Sequence, residues 1–215
     1  MSTQKDAAAV ENRQGNEWPD KPLYPLARAF TEVISPFVIV AVILFVVAFT
    51  TDPHWLRSTV ISAVPIAVIP QALSMYMTLR GTVTDKFIRH RQQRHTFYAM
   101  TLGSVLLGTI LVFIIPTSLE LRWVASLSVG TLLAVMLVNI RIKISIHALI
   151  AAVAAVILPV MTQSWIVLAL SVLAWMGATW SRVYLERHQV VDVILGSILG
   201  GLVGLAFLLL AGVLL

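Results

Sequence analysis

Blocks of almost uninterrupted apolar sequence divide this chain and leave few folds open to it. They run over about 34–50, 58–79, 97–115, 121–140, 147–161, 165–180 and 191–215. Runs of about 18 or more apolar residues read as membrane-spanning helices. Inside a bilayer every backbone N–H and C=O must find its partner within the protein, so only helices and closed barrels cross. Alternation at period two, the mark of a barrel strand, is absent. Composition agrees: 59% of residues are hydrophobic and 12% charged, against about 25% charged in soluble domains. The expected fold is all-α, a polytopic transmembrane helix bundle of about six to seven spans.

The segments outside the spans set the expected domain plan. Residues 1–20 are polar, so disorder is expected there, and they lack the apolar h-region of a cleavable signal peptide. Residues 21–33 (KPLYPLARAFTEV) mix Leu, Ala and Phe with Lys21, Arg28 and Glu32, which fits an amphipathic interfacial helix. Residues 34–215 then form one transmembrane domain, with Pro65 and Pro70 expected to kink the second span. The chain has no cysteine, which excludes disulfides, thiolate chemistry and cysteine-based zinc sites. The net charge of +5 sits in loops between spans, where anionic lipid rather than nucleic acid is the natural partner.

Charge is unevenly placed among those loops. Polar segments at 80–95, 141–147 and 181–192 are separated from one another by two spans each, so by parity all three emerge on one side. The links on the other side hold only Arg57 and Arg122 as strong cations. Three distant segments rich in Arg, Lys and His that converge on one face read as a composite anion site. The N-terminal tail carries Lys5, Arg13, Lys21 and Arg28, and the positive-inside bias then places the site on the cytoplasmic face of the cell membrane.

Particular residues in these segments carry chemistry. His188 and Asp192 are four apart at a helix start and share a face. A carboxylate there fixes the imidazole tautomer and leaves the other nitrogen free to act as nucleophile or base. Taken alone, the pair also reads as a surface histidine beside a capping aspartate. Arg182 offers a planar fork suited to phosphate oxygens. Ser145 is a favoured N-cap at the start of the fifth span, where free N–H groups attract anions. His147, just inside, could protonate a leaving oxygen. In the 80–95 loop, Arg91 and Arg94 are spaced to grip one phosphate, while Arg80 and Arg89 read as ordinary basic loop residues.

Together these residues resemble a known pattern. S-R-x5-H-x3-D, standing as Ser181-Arg182, His188 and Asp192, resembles the third signature of the type 2 phosphatidic acid phosphatase (PAP2) superfamily, in its integral membrane lipid phosphatase branch. K-I-S-I-H is similar to a degenerate form of the second signature, P-S-G-H. Arg91-Gln92-Gln93-Arg94-His95 resembles the first, K-x6-R-P. The resemblance covers about residues 80–200, a PAP2-like core. This chain departs from the pattern at Ile144 and Ile146, which replace Pro and Gly, and at His95, which replaces Pro. The expected Lys falls on Phe87, so either Lys86 or Arg91 fills that role, and Arg91 is the better placed.

The resemblance implies a metal-independent phosphatase that needs no cofactor. His188 would attack phosphorus and form a phosphohistidine, oriented by Asp192. His147 would protonate the leaving lipid alcohol. Arg94, Arg182 and Ser145 would hold the non-bridging oxygens, assisted by Arg91 or Lys86. The substrate would be a lipid phosphate: a polyprenyl phosphate or diphosphate, phosphatidic acid or phosphatidylglycerol phosphate. Two alternatives remain: a non-catalytic anionic-lipid binder or transporter of phosphatase ancestry, and a structural membrane subunit in which Arg94, His147 and Arg182 do not converge. Gly196, Gly200 and Gly204 recur every four residues in the last span. Such a stripe permits close helix contact, expected within the chain, with a homodimer seam as the other reading.

Overall fold

A computed structural model describes residues 21–80 and 91–213, with the side chains of 91–95 left out. Lys86 therefore lies outside the described residues, as does the polar tail 1–20. The described chain is helical throughout and has no strand. Its helices are α1 (Tyr24–Val33), α2 (Pro36–Thr51), α3 (Trp55–Ala63), a π-helical turn (Val64–Val68), α4 (Ile69–Leu79), α5 (Arg91–Ile114), α6 (Leu119–Val138), α7 (Ile146–Thr162), α8 (Trp165–Tyr184) and α9 (Val190–Leu210).

Every apolar block of the sequence is a helix, but fewer than seven pass as independent spans. Among the described residues five do by length and composition: Trp55–Leu79, Thr96–Ile114, Leu119–Val138, Trp165–Tyr184 and Val190–Leu210. A sixth is the pair α1 and α2, taken together across a 43° bend. The bend falls where Pro36 opens α2, since proline suits a first helical turn and its ring disfavours helix in the residue before it. Helix α7 has only 17 residues, or about 25 Å at 1.5 Å per residue, short of a hydrocarbon core of about 30 Å. It is the centre of the bundle, packed by α9, α8 and α2. Ala148, Leu149, Ala151 and Ile157 of α7 are all at most 1% exposed.

The small-residue stripe of α9 explains how close that central packing is. A Cβ on Gly196 would lie 2.5 Å from the carbonyl oxygen of Ser145. One on Gly200 would run into the Leu149 carbonyl, and one on Gly204 into Val156. The stripe is thus used inside the chain, against α7.

The prolines of the second span act locally. In a π turn the Pro65 carbonyl should accept from the fifth residue on, but that residue is Pro70, which has no N–H. Ser104 of α5 donates instead, at 2.6 Å.

At the end of the bundle away from α7's first turn, Asp52 ties four segments together. It is 7% exposed and accepts from the His54 amide (2.7 Å), the Ser58 hydroxyl (2.8 Å) and the Ser118 amide (3.1 Å). Burial raises its pKa, but these bonds and nearby Arg57 outweigh burial and hold the carboxyl below its ordinary value of 3.8. The ionised form therefore stabilises the fold above that ordinary value, and the contribution drains away as pH falls through the lower folded value. Asp52→Asn should cost about 1–3 kcal/mol at neutral pH and flatten the acid side of the stability profile, measured by thermal unfolding in detergent.

Candidate functional site

The spacing between Arg182 and His188 is set by how α8 ends. Glu186 takes a left-handed conformation, φ 53°, and the chain reverses over its own last turn. The Glu186 amide donates to the Val183 carbonyl (2.9 Å), and the amides of Arg187 and His188 both donate to the Arg182 carbonyl (3.0 and 3.2 Å). These bonds satisfy carbonyls that a helix end leaves open. They also place His188 back over the turn that carries Arg182. A shorter or longer link would aim the imidazole elsewhere.

Helix α9 starts immediately afterwards, and Asp192 serves two purposes there. Its Oδ2 accepts from the Gln189 amide (3.1 Å) and from His188 Nδ1 (3.1 Å). The capping role and the histidine-orienting role, alternatives in the sequence, are one arrangement. With Nδ1–H donated to the carboxylate, Nε2 is the nitrogen left to act. Burial and then the Arg182 charge push the His188 pKa down, against the raising effect of Asp192, from 6.5 to about 4. The ring is thus neutral, with its lone pair available, at neutral pH.

The second polar segment meets the third through the backbone. The Ser145 amide donates to the Asp192 carbonyl at 3.0 Å, which sets the N-termini of α7 and α9 side by side. Ser145 caps α7 by accepting from the Ala148 amide (3.4 Å) and retains its own hydroxyl proton as a donor. Two parallel helix N-termini place their partial positive charges at one spot. Arg182 is 4% exposed, His147 4% and Asp192 9%. The charges of Arg182 and Arg187 and the ring of His188 all act on His147. Arg182 thus sets a buried cation against both His147 and His188, and with the two helix N-termini it makes the electrostatics of this end favourable to an anion.

Five of the eight residues singled out by the sequence, Ser145, His147, Arg182, His188 and Asp192, come together at this end. Arg91 and Arg94 are helical residues at the start of α5, with side chains outside the description, and Lys86 lies outside it altogether. Lys143 was missed. Its charge acts on His188, and its Nζ donates to the Arg187 carbonyl (3.0 Å), tying the two polar segments together. Its place two residues before Ser145 in the basic stretch was the available signal. Ile144 turns into the hydrophobic core. Ile146 lines an apolar cavity of about 140 Å³ between α2, α5, α6, α7 and α9.

The His188 ring should titrate near pH 4 rather than near 6.5, which the pH dependence of its ring ¹⁵N shifts checks. Asp192→Asn removes the contribution that holds the imidazole pKa up, so that titration should move lower.

Residues 143–213 match the family model described as PAP2 superfamily. The matched segment contains Ser145, His147, Arg182, His188 and Asp192, and it begins after Arg94. Comparisons with curated proteins and with solved structures found no match.

Proposed function

We propose that this membrane protein, whose residues 143–213 match the PAP2 superfamily model, hydrolyses the phosphate ester of a lipid through a phosphohistidine; that family points broadly to phosphatase activity. The observation that carries the reading is the His188–Asp192 pair seated beside buried Arg182 and two helix N-termini. Nε2 of His188 attacks phosphorus, and the bond to the lipid oxygen breaks as the protonated His147 ring gives that oxygen a proton and becomes neutral. Water then attacks the phosphohistidine, His147 takes the water's proton, and inorganic phosphate leaves. Arg182, Ser145 and the helix N-termini stabilise the charge that grows on the non-bridging oxygens. The family resemblance would add Arg94, with Arg91 or Lys86, to the groups that bind the phosphate. Fixed donors of this kind are each worth about 3–4 kcal/mol of barrier.

Position supports a lipid substrate. The cluster lies where α7, α8 and α9 reach the end of an apolar bundle, so a phosphate held there keeps its hydrocarbon at membrane depth. The candidates are a polyprenyl phosphate or diphosphate, phosphatidic acid and phosphatidylglycerol phosphate. We place the site on the cytoplasmic face, on the bias of basic residues toward that end. Labelling of residues 80–95 from one side of sealed vesicles tests it.

The test of function is phosphate release from dispersed lipid phosphates by the purified protein in detergent, with excess EDTA. Sustained release is expected for at least one member of the panel. Tight binding without release would favour the non-catalytic binder, a reading that Ile146 at the family's glycine position supports.

A further inference from the structure

Helix α1 lies outside the family-matched segment, yet it reaches the core of the site. The Thr31 hydroxyl donates to Ser181 Oγ at 3.2 Å, and Ser181 Oγ donates to the Ala178 carbonyl at 2.9 Å. Thr31 is 2% exposed and Ser181 fully buried. Ser181 immediately precedes Arg182. The backbone of Thr31 is also a hydrogen-bond partner of the His147 ring. One residue of α1 thus touches both the helix end that carries Arg182 and the side chain assigned as general acid.

The rest of α1 is fitted to hold that position. Phe30 packs over Gly177, where a Cβ would collide with its ring, and meets Trp180 edge-on at 6.1 Å. At the other end Lys21 Nζ donates to Glu186 Oε1 (2.6 Å) and to the Tyr184 carbonyl (3.2 Å). The Leu23 amide donates to the Tyr184 hydroxyl (3.1 Å). Lys21 therefore grips the turn whose left-handed Glu186 aims His188.

We propose that α1 is a positioning element of the phosphate site, in which Thr31 fixes the tautomer and aim of His147 through its carbonyl and the register of α1 against α8 through its hydroxyl. The proposal rests on the phosphatase reading for its catalytic consequence. A protonated imidazole that donates one N–H to a fixed carbonyl aims its other N–H in one direction, and once that proton is given up the carbonyl holds the neutral ring in one tautomer. That carbonyl is fixed only as well as α1 is. Valine at position 31 keeps the shape and the carbonyl but sets a methyl 3.2 Å from Ser181 Oγ, closer than the ~3.5 Å or more that a carbon contact prefers. The helices must part by a few tenths of an ångström.

Thr31→Val and Thr31→Ser, in the full chain in detergent, test this with two readouts. The first is kcat and KM for lipid phosphate. A misplacement of ~1 Å costs about 100-fold, so Thr31→Val should lose about tenfold in kcat with KM nearly unchanged, and Thr31→Ser should restore the rate. The second is the ¹⁵N spectrum of His147, identified by its loss in His147→Asn, which needs no turnover. One tautomer is expected in the parent and in Thr31→Ser, and a mixture in Thr31→Val. Unchanged kcat and an unchanged His147 spectrum in Thr31→Val would overturn the proposal. So would equal losses in both variants that track a fall in thermal stability, which would make the role one of packing. If the parent releases no phosphate from any lipid, the phosphatase reading fails, and the spectrum alone decides the role of Thr31.

Discussion

His188→Ala should lower phosphate release by about 10⁴-fold or more, to near the rate of uncatalysed hydrolysis. Knocking out the nucleophile of a catalytic unit costs about as much as removing the whole unit, because the remaining members have nothing to act on. The geometry makes the expectation specific. His188 is the group whose Nδ1 is held by Asp192 at 3.1 Å and whose pKa is pushed down to about 4 by burial and Arg182, so in the proposed reaction its Nε2 would be the atom to meet phosphorus. Asp192→Asn should cost less, since it leaves the nucleophile in place and removes its orientation. Arg182→Ala should fall between, at about 10²–10³-fold, the usual loss for one donor to a developing charge. If the His188 and Arg182 variants lost equally little, the cluster would not be doing phosphoryl transfer.

Gly196→Ala should damage both the fold and the site, because its methyl strikes α7 at the residue that joins the two polar segments. A Cβ there meets the Ser145 carbonyl at 2.5 Å, and the neighbouring contacts at 3.3 and 3.4 Å are also Ser145 backbone. Backbone cannot swing aside as a side chain can, so α9 must move away from α7. That movement breaks the amide-to-carbonyl bond between Ser145 and Asp192 (3.0 Å) and separates the two helix N-termini. Overpacking of this kind costs about 1–3 kcal/mol, and a shift of ~1 Å at the site costs about 100-fold in rate. Gly201→Ala on the same helix is the comparison: nothing lies within 4 Å of its added methyl, so stability and turnover should hold. Unfolding temperature and kcat, measured together on both variants, check the prediction. Equal behaviour of the two would mean that close contact between α7 and α9 does not position the site.

The fold class could be read from the sequence because apolar block length answers directly to bilayer thickness. The span count was harder. Helix α7 sits at the centre of the bundle and needs no lipid-facing length, and the bend before Pro36 splits what parity treats as one crossing. The third motif was readable because a local turn dictates its spacing: the left-handed Glu186 and its backbone bonds fix the distance from Arg182 to His188. Lys143 acts across two helices, so it showed only as one basic residue in a polar patch. Thr31 gave no signal at all, because a threonine in an amphipathic segment reveals nothing of a partner 150 positions away. His188 and Asp192 posed a choice between cap and couple that no spacing rule could resolve, since one carboxylate oxygen does both.

If His188 takes the phosphoryl group from a lipid, the adduct can be trapped: the purified protein is mixed with ³²P-labelled lipid phosphate, quenched in alkali within the first turnover, and the labelled peptide is identified. An alkali-stable, acid-labile label is expected on the peptide that carries His188, and none in His188→Ala. Full turnover of the same substrate by His188→Ala would contradict it.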